Sequence, residues 1–402
     1  MALMPYEEAL KIVLENINPL PSERVLLWQA LGRFLAEEVR SDADKPPFDN
    51  SAMDGYAVRA EDLQGEGVKL RLLGEVSAGG EVGLRVERGT AVRIFTGAPI
   101  PEGADTVVPL EFTRQEGEYI LVEKPLKKGA NIRLRGEELK ENELILKRGT
   151  PIRGYEIGIM ASVNKVSLSV YQKPRVAVLS TGDEVKDVGE NIEKPSQIRS
   201  SNNHALYARA LEVGCEVVHL GIVGDNPEDI QRLLKDVERY DVFLTTGGVS
   251  VGEKDYVQRL VGEMGFELLF HKLRIKPAKP VLFARKGKTL LFGLPGNPVS
   301  CLMAFDLLVK PALFRMQGVE ECEPPVYRAQ LVRDFSRRDA ERREFVRAKF
   351  WEEGGRLYCD YSSKTQSHML TSYVGANCYL VVYEGIKELK AGQEVEVIPF
   401  QW

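Results

Sequence analysis

The stretch that decides the fold is V-F-L-T-T-G-G-V-S-V-G-E-K-D-Y, residues 242–256. A short apolar run, the pattern of a buried strand, ends in Thr-Thr and a pair of glycines. Gly247 and Gly248 let the backbone turn sharply and approach a ligand without interference from a Cβ atom. Hydroxyls and backbone N–H groups beside them suit an anion such as phosphate, and the carboxylates that follow suit a divalent cation.

Two further segments repeat this order of strand, glycine-bearing loop and helix. The run R-V-A-V-L (175–179) precedes S-T-G-D-E (180–184), and T-L-L-F (289–292) precedes G-L-P-G-N-P-V-S (293–300). Parallel strands of this kind place their loops at one edge of an open α/β sheet, where ligands bind. One loop alone is as well explained by a turn without a ligand, whereas three favour a phosphate-plus-metal site.

Composition excludes several classes of protein. The chain has 402 residues, which predicts two to four domains, and a net charge of −5 argues against a general nucleic-acid binder. The five cysteines form no C-x-x-C pair and indicate reduced thiols, while the four histidines are scattered and give no zinc signature. The absence of a leader pattern and of long apolar runs predicts a cytoplasmic protein without a membrane partner.

Periodicity predicts helices over 5–17, 26–39 and 151–161, with a strand over 167–171. Short β-type runs separated by Gly, Pro and Asn turns predict a compact β-rich region before residue 150. Alternating strands after residue 326 predict a small β-barrel or sandwich.

Five motifs occur in a fixed order and together resemble the molybdopterin molybdenumtransferase family, which includes bacterial MoeA and the E domain of gephyrin. The resemblance covers essentially the whole chain. The motifs are P-P-F-D-N-S-A-M-D-G-Y-A-V-R (46–59), R-I-F-T-G-A-P-I-P-E-G-A-D (93–105), S-T-G-D-E (180–184), T-G-G-V-S-V-G-E-K-D-Y (246–256) and G-L-P-G-N-P-V-S (293–300).

The resemblance implies an α/β multidomain fold. Its parts are a central βαβ parallel-sheet domain like that of the molybdopterin adenylyltransferase MogA, an elongated helical and β hinge domain, a β-rich lid domain and a small C-terminal β-barrel. We expect the hinge, or dimerisation, domain at 1–45 and 147–173, the lid at 46–146, the molybdopterin-binding domain at 174–322 and the barrel at 323–402. The first helix is an exception that we expect to pack on the βαβ domain.

The implied activity is the last step of molybdenum cofactor synthesis: adenylylated molybdopterin and molybdate are the substrates, Mg²⁺ assists pyrophosphate cleavage, and AMP leaves. Family members are homodimers with a shared active site, and the adenylyltransferase is a further expected partner. Molybdate and tungstate are so alike in size and charge that the sequence does not discriminate between them.

Matching motif positions carry the family's functional residues onto this chain. The implied catalytic residues are Asp54, Glu184, Asp225, Asp255, Lys272 and Lys276, and three of them, Glu184, Asp225 and Asp255, are the expected metal ligands. The expected substrate-binding residues are Thr96, Arg133, Glu138, Thr181, Gly182, Gly247, Gly248, Ser250, Pro295, Gly296, Pro298, Arg347 and Ser367. Glu138 departs from the aspartate that is common in the family.

Residue chemistry leaves some of these roles open. On a strand, the even spacing of Lys272 and Lys276 puts both side chains on one face, where they could hold an oxyanion. The alternative is that the two lysines form a solvated basic edge. The arginines between 337 and 347 have the pattern of a solvated surface run, although Arg347 and Ser367 could instead touch substrate. The loop around Asp54 could be an ordinary Asx turn.

Two other functions stay open at this stage. One is an adenylyltransferase-like enzyme built on the βαβ domain, although the long first half of the chain argues against it. The other is a non-catalytic scaffold like that formed by gephyrin, although the intact acidic residues argue for an enzyme.

Overall fold

The computed structural model describes residues 3–65, 67–80, 83–248 and 261–401. It divides into two compact units. The first comprises Met1–Glu37, Arg148–Gly154 and Ser167–Trp402, and the second comprises Glu38–Lys147 and Tyr155–Val166.

The chain begins with helix α1 (Tyr6–Glu15), followed by strand β1 (Ser22–Leu26) and a short 3₁₀ helix. The helix predicted over 5–17 is confirmed, but the one predicted over 26–39 is wrong. Instead, β1 pairs with the strand Ser167–Tyr171. Gly32 has a φ of +75°, and its N–H donates to the Ile152 carbonyl. Backbone pairing with distant segments overrides the local apolar periodicity here, as tertiary context often does.

The second unit is rich in β structure, as predicted. The strands are β2 (Val39–Arg40), β3 (Asn50–Ser51), β4 (Gly55–Val58), β5 (Val68–Val76), β6 (Thr90–Ile94), β7 (Thr106–Pro109), β8 (Thr113–Glu116), β9 (Tyr119–Val122), β10 (Ile132–Arg133) and β11 (Leu144–Leu146). The main sheet has six strands in the order β7-β4-β6-β5-β9-β8, and the core of the unit includes Tyr56, Leu70, Val108 and Ile120.

Helix α2 (Gly154–Ser162) and strand β12 (Ser167–Tyr171) follow, close to their predicted positions, and lead into the central sheet of the first unit. The elements up to residue 309 are β13 (Arg175–Thr181), β14 (Val185–Lys186), β15 (Ile198–Arg199), α3 (Asn202–Glu212), β16 (Glu216–Val223), α4 (Pro227–Leu234), β17 (Val242–Thr246), β18 (Glu267–His271), β19 (Ile275–Lys276), β20 (Leu282–Lys286), β21 (Thr289–Leu294), α5 (Pro298–Ala304) and a π-helical turn (Phe305–Val309).

The central sheet has the order β16-β13-β17-β21-β20-β18, with its first four strands parallel. Its two faces are buried by different elements. Val176 and Val178 pack in the cluster that contains Leu206 of α3, whereas Ala177 and Leu179 pack in the cluster that contains Ile230 of α4. This burial on both faces explains the nearly continuous apolar runs of the strands. The predicted parallel-sheet domain is confirmed.

The C-terminal part follows helix α6 (Lys310–Met316) and forms a closed barrel, as predicted. Five strands run in the order β24-β25-β22-β28-β26, and a direct pairing of β24 with β26 closes the ring. The strands are β22 (Tyr327–Leu331), β23 (Phe335–Ser336), β24 (Arg343–Glu353), β25 (Arg356–Tyr361), β26 (Cys378–Val382), β27 (Glu388–Leu389) and β28 (Glu394–Pro399). Short 3₁₀ helices complete the fold at Leu27–Gln29, Ala60–Asp62, Leu110–Phe112, Val237–Arg239 and Leu370–Tyr373.

Across the described residues, the helices are too short or too polar to cross a membrane.

Candidate active site

A cavity of about 550 Å³ opens at the carboxyl edge of the central sheet. The loops that follow β13, β17 and β21 all line it, which confirms that the three predicted strand–loop units meet at one edge. The start of α3 and the C-terminal barrel complete the wall. The lining residues are Ser180, Thr181, Glu184, Val185, Ile198, Arg199, Ser200, Ser201, Asn202, Thr246, Gly247, Pro280, Pro295, Gly296, Asn297, Pro298 and His368.

Asn202, the first residue of α3, joins two of these loops. Its side-chain amide donates to the Thr246 hydroxyl at 2.8 Å and to the Gly296 carbonyl at 2.8 Å. The Thr246 hydroxyl in turn donates to the Pro295 carbonyl at 3.2 Å. The floor of the cavity is therefore held by buried side-chain bonds, which fix the loop backbones before any ligand arrives.

Three buried polar atoms of the wall have no hydrogen-bond partner within the described part of the chain. They are Thr181 Oγ1, Ser200 Oγ and Asn202 Oδ1. A buried polar group without a hydrogen-bond partner costs about 1–3 kcal/mol, so such groups are rare in native folds and each needs an explanation, such as a bound ligand. Two hydroxyls and an amide oxygen beside the helix start can bind a polar ligand that enters the cavity.

Gly247 is required by the close approach of two loops. A Cβ atom at this position would lie 2.6 Å from the Thr181 carbonyl oxygen and 2.9 Å from Thr181 Oγ1. Its φ of +93° and that of Gly248, +65°, also belong to the left-handed region that favours glycine. Gly247 thus allows the end of β17 to lie against the S-T-G-D-E loop. The predicted close approach of the two glycines to a ligand stays a prediction.

The acidic candidates lie on neighbouring loops of this unit. Glu184 is exposed and lines the cavity. The Asp225 N–H, just beyond β16, donates to Asp183 Oδ1 at 3.0 Å, so the loop carrying Glu184 is tied to the loop carrying Asp225. Asp255 and Ser250 lie outside the described residues. The metal-ligand assignment for Glu184, Asp225 and Asp255 stays a prediction.

The basic candidates differ in their surroundings. Lys276 Nζ lies 3.1 Å from Glu344 Oε1, and that carboxylate is also 3.5 Å from the Arg337 guanidinium. The Lys276 charge is therefore balanced by a buried partner. Lys272 has a φ of +77° and donates its backbone N–H to the Val281 carbonyl. The binding of an oxyanion by Lys272 and Lys276 stays a prediction.

The interpretation of the arginines between 337 and 347 as a solvated run is wrong for three of its members. The Arg337 side chain is 3% exposed, and residues Arg343 and Arg347 are 9% and 1% exposed. Arg347 donates to Ser372 Oγ at 2.9 Å and to the Lys364 carbonyl at 2.8 Å. It therefore stabilises the turn that leads to Ser367. A direct contact of Arg347 with substrate stays a prediction.

Ser367 lies where the barrel meets the cavity. Its carbonyl accepts a hydrogen bond from the N–H of Val299, in the first turn of α5, at 3.0 Å. The next residue, His368, lines the cavity. Ser367 is thus placed beside the third loop by backbone contact, and binding of substrate by its hydroxyl stays a prediction.

The second unit holds the remaining candidates. Asp54 Oδ1 accepts hydrogen bonds from the backbone N–H and the hydroxyl of Thr96, both at 2.7 Å, and these bonds lower the pKa of the Asp54 carboxyl. Arg133 is exposed on β10, which pairs with the strand Asn50–Ser51. Glu138 is exposed and donates its N–H to the Lys45 carbonyl. Asp54 and Thr96 are therefore neighbours, as two candidates in one site must be.

Comparisons with known proteins agree with this arrangement. Three family models match in order: the MoeA N-terminal region (domain I and II) over residues 4–164, the probable molybdopterin binding domain over 177–315, and the MoeA C-terminal region (domain IV) over 328–400. A molybdopterin molybdenumtransferase of Staphylococcus aureus is 34% identical over 98% of this chain and 95% of its own length. The chain belongs to the molybdopterin molybdenumtransferase family.

Other relatives agree with this membership. A protein of the same name from Staphylococcus epidermidis is 32% identical over 98% of this chain and 94% of its own length. The crystal structure of the molybdopterin biosynthesis MoeA protein from Pyrococcus horikoshii OT3 superposes with a TM-score of 0.84 at 31% identity. It covers 99% of this chain and 100% of that chain. The likeness therefore extends over the whole fold.

Several polar residues of the cavity wall are not among the predicted site residues, including Arg199, Ser200, Asn202 and His368. The run R-S-S-N-N-H (199–204) has the serine and asparagine residues typical of a helix N-terminus. Its position after a strand was the available signal, because helices that follow strands of a parallel sheet begin at the ligand-binding edge. His368 comes from the barrel, and no local pattern predicts that it reaches the cavity.

Proposed function

We propose that this chain transfers molybdenum from molybdate to adenylylated molybdopterin and releases AMP. The observation that carries the proposal is the cavity at the carboxyl edge of the parallel sheet, with three unpartnered buried polar atoms in its wall. All the lining residues except His368 lie in the segment matched by the probable molybdopterin binding domain. A substrate of this class offers phosphate oxygens and ring nitrogens to such groups.

The anionic part of the substrate fits the start of α3. Arg199 supplies positive charge, Ser200 and Asn202 supply polar atoms, and the N-terminus of a helix favours an anion. Gly247 and Gly296 allow the backbone to approach the ligand closely. The substrate is thus oriented by fixed groups, which need no rearrangement during the reaction.

A divalent cation fits the acidic edge of the same cavity. Glu184 presents a carboxylate to the cavity, and carboxylates are the hard oxygen ligands that Mg²⁺ prefers. We propose that Glu184, Asp225 and Asp255 hold it. When bound, Mg²⁺ neutralises charge on the phosphate oxygens of the pyrophosphate.

Asp54 is proposed to act from the second unit of a partner subunit in a homodimer. The two hydrogen bonds from Thr96 hold its carboxylate ionised and fix its direction, as a group that orients an attacking water requires. Exposed apolar side chains support self-association: Trp28 is 68% exposed and Leu31 is 65% exposed in the segment after β1. We further propose a cytoplasmic location, with the adenylyltransferase that makes the substrate as a transient partner.

AMP release tests the activity. Purified protein is mixed with adenylylated molybdopterin, molybdate and Mg²⁺, and AMP is quantified by chromatography. We expect Asp54→Ala and Asp255→Ala to lower the rate by at least about 100-fold, the scale for losing one oriented electrostatic group. Asp42→Ala, an exposed aspartate of the same unit as Asp54, is the control and should keep the full rate.

Full activity in both active-site variants would refute the residue roles. Turnover of ATP with free molybdopterin, but not of adenylylated substrate with molybdate, would favour an adenylyltransferase instead. A scaffold would be favoured if the purified protein released no AMP and if its expression did not restore molybdoenzyme activity in a strain that lacks the molybdenumtransferase.

A further inference from the structure

A second cluster of metal-binding side chains lies beside the cavity but outside its wall. Asp187 follows β14, His204 is in the first turn of α3, and His219 is on β16. Their ligand atoms lie within 4.8 Å of one another. Among the described residues, this is the one group of three or more His, Cys, Asp or Glu side chains with such spacing.

The geometry of the cluster is specific. His204 Nε2 lies 2.7 Å from Asp187 Oδ1, and the rings of His204 and His219 stack with centroids 5.5 Å apart. His219 Nε2 is buried and has no hydrogen-bond partner in the described part of the chain. An imidazole nitrogen that is withdrawn from water without a partner is costly, which calls for a ligand that the protein itself does not provide.

The donor set selects the kind of ion. Two imidazole nitrogens and one carboxylate suit Zn²⁺ and similar transition metals, whereas Mg²⁺ prefers oxygen donors alone. Donors about 2.1 Å from one tetrahedral ion are about 3.4 Å apart, so small side-chain rotations within the cluster suffice. We propose that Asp187, His204 and His219 together bind one divalent transition-metal ion of the Zn²⁺ class, with a fourth position left for water.

The state of the aspartate agrees with this assignment. The hydrogen bond to His204 and the Val188 N–H lower the pKa of the Asp187 carboxyl, so it is ionised at neutral pH. The position of Asp187 is fixed further by Arg199, whose guanidinium donates to its carbonyl at 2.8 Å. A metal ligand needs both a charge and a fixed position.

The ion would tie together three elements that frame the cavity. Asp187 is three residues beyond Glu184, His204 is two residues beyond Asn202, and β16 leads into Asp225. Binding should therefore stabilise the folded edge of the sheet without direct contact with the reacting groups. This role is separate from the Mg²⁺ site of the proposed function and does not depend on it.

Direct titration tests the site. The full-length protein is freed of metal with a chelator and titrated with Zn²⁺ by calorimetry and with Co²⁺ by visible absorption. We expect one equivalent of Zn²⁺, Co²⁺ bands of a site with nitrogen and oxygen donors, and a higher melting temperature with Zn²⁺. Excess Mg²⁺ should not displace either ion.

Single substitutions locate the ion. His219→Ala should weaken Zn²⁺ binding by more than about 100-fold, because loss of even an outer partner of a metal ligand costs 10–100-fold. Asp187→Asn should weaken it similarly and keeps the test decisive if His219→Ala does not fold, since Asp187 lies on a partly exposed loop. His368→Ala is the matched histidine control and should retain one equivalent.

Three results would overturn the proposal: no stoichiometric binding by the wild type, unchanged binding in His219→Ala and Asp187→Asn, or loss of binding in His368→Ala alone. In the first case the cluster would be a hydrogen-bonded Asp–His pair with a stacked second histidine. AMP release by the wild type is measured separately, so failure of the metal site and failure of the proposed function are distinguishable.

Discussion

Substitution of Gly247 by alanine tests the loop contact on which the cavity depends. The added Cβ atom would lie 2.6 Å from the Thr181 carbonyl oxygen, a contact with backbone that no side-chain rotation relieves. The φ of +93° adds the cost of a left-handed conformation, about 1–2 kcal/mol. The crowding adds about 1–3 kcal/mol, as overpacking of a close contact does.

Gly221→Ala is the matched control for this experiment. Gly221 lies on β16 of the same sheet and has a φ of +87°, but a Cβ atom there meets nothing within 4 Å. The control therefore includes the cost of the left-handed conformation and omits the clash. The difference between the two variants measures the clash alone.

Thermal unfolding of the purified variants provides the assay. A change of 1 kcal/mol shifts the melting temperature of a domain of 150–250 residues by about 2–4 °C. We therefore expect Gly247→Ala to melt about 10 °C lower than wild type and Gly221→Ala about 4 °C lower. AMP affinity, measured below both transitions, should fall in Gly247→Ala and stay near the wild-type value in Gly221→Ala. Equal melting temperatures for the two variants would refute the close approach of Gly247 to Thr181.

Three further predictions concern ionisable groups. Thr96→Val removes the hydroxyl hydrogen bond but keeps the backbone one, so it should raise the NMR titration midpoint of Asp54 part of the way toward the ordinary value of 3.8, and an unchanged midpoint would contradict the hydroxyl bond. Burial lowers the pKa of Lys310 from 10.5 to about 8, so between these pH values the unfolded chain binds more protons and stability should rise with pH. Lys310→Met should flatten that rise in denaturant titrations at several pH values. Arg347→Met should destabilise the barrel by about 3 kcal/mol through lost charged hydrogen bonds, whereas Arg356→Met, exposed on β25, should change stability by less than about 0.5 kcal/mol.

The sequence predicted the edge of the parallel sheet well because the relevant chemistry is local. Each strand–loop unit carries its own apolar run, its glycines and its polar residues, and parallel strands necessarily bring such loops together. The positions of Gly247 and Thr181 in the cavity wall follow from that rule. The start of α3 follows the same rule, so the position of Asn202 in the cavity wall was predictable in the same way.

Contacts between residues far apart in the sequence could not be predicted from any local pattern. The predicted helix over 26–39 is wrong because its backbone pairs with segments between residues 146 and 171. Lys276 meets Glu344, and Arg347 meets Lys364, only because the barrel packs and closes as it does. His204 and His219 look scattered in sequence, yet a helix and the adjacent strand bring their rings together.

The most direct test of the central claim is a crystal structure of the protein with AMP, Mg²⁺ and molybdate. We predict AMP in the cavity at the carboxyl edge of the sheet, with polar contacts to Thr181, Ser200 or Asn202 and with Mg²⁺ beside Glu184. Nucleotide bound elsewhere on the chain, with those three polar atoms still without partners, would contradict the account.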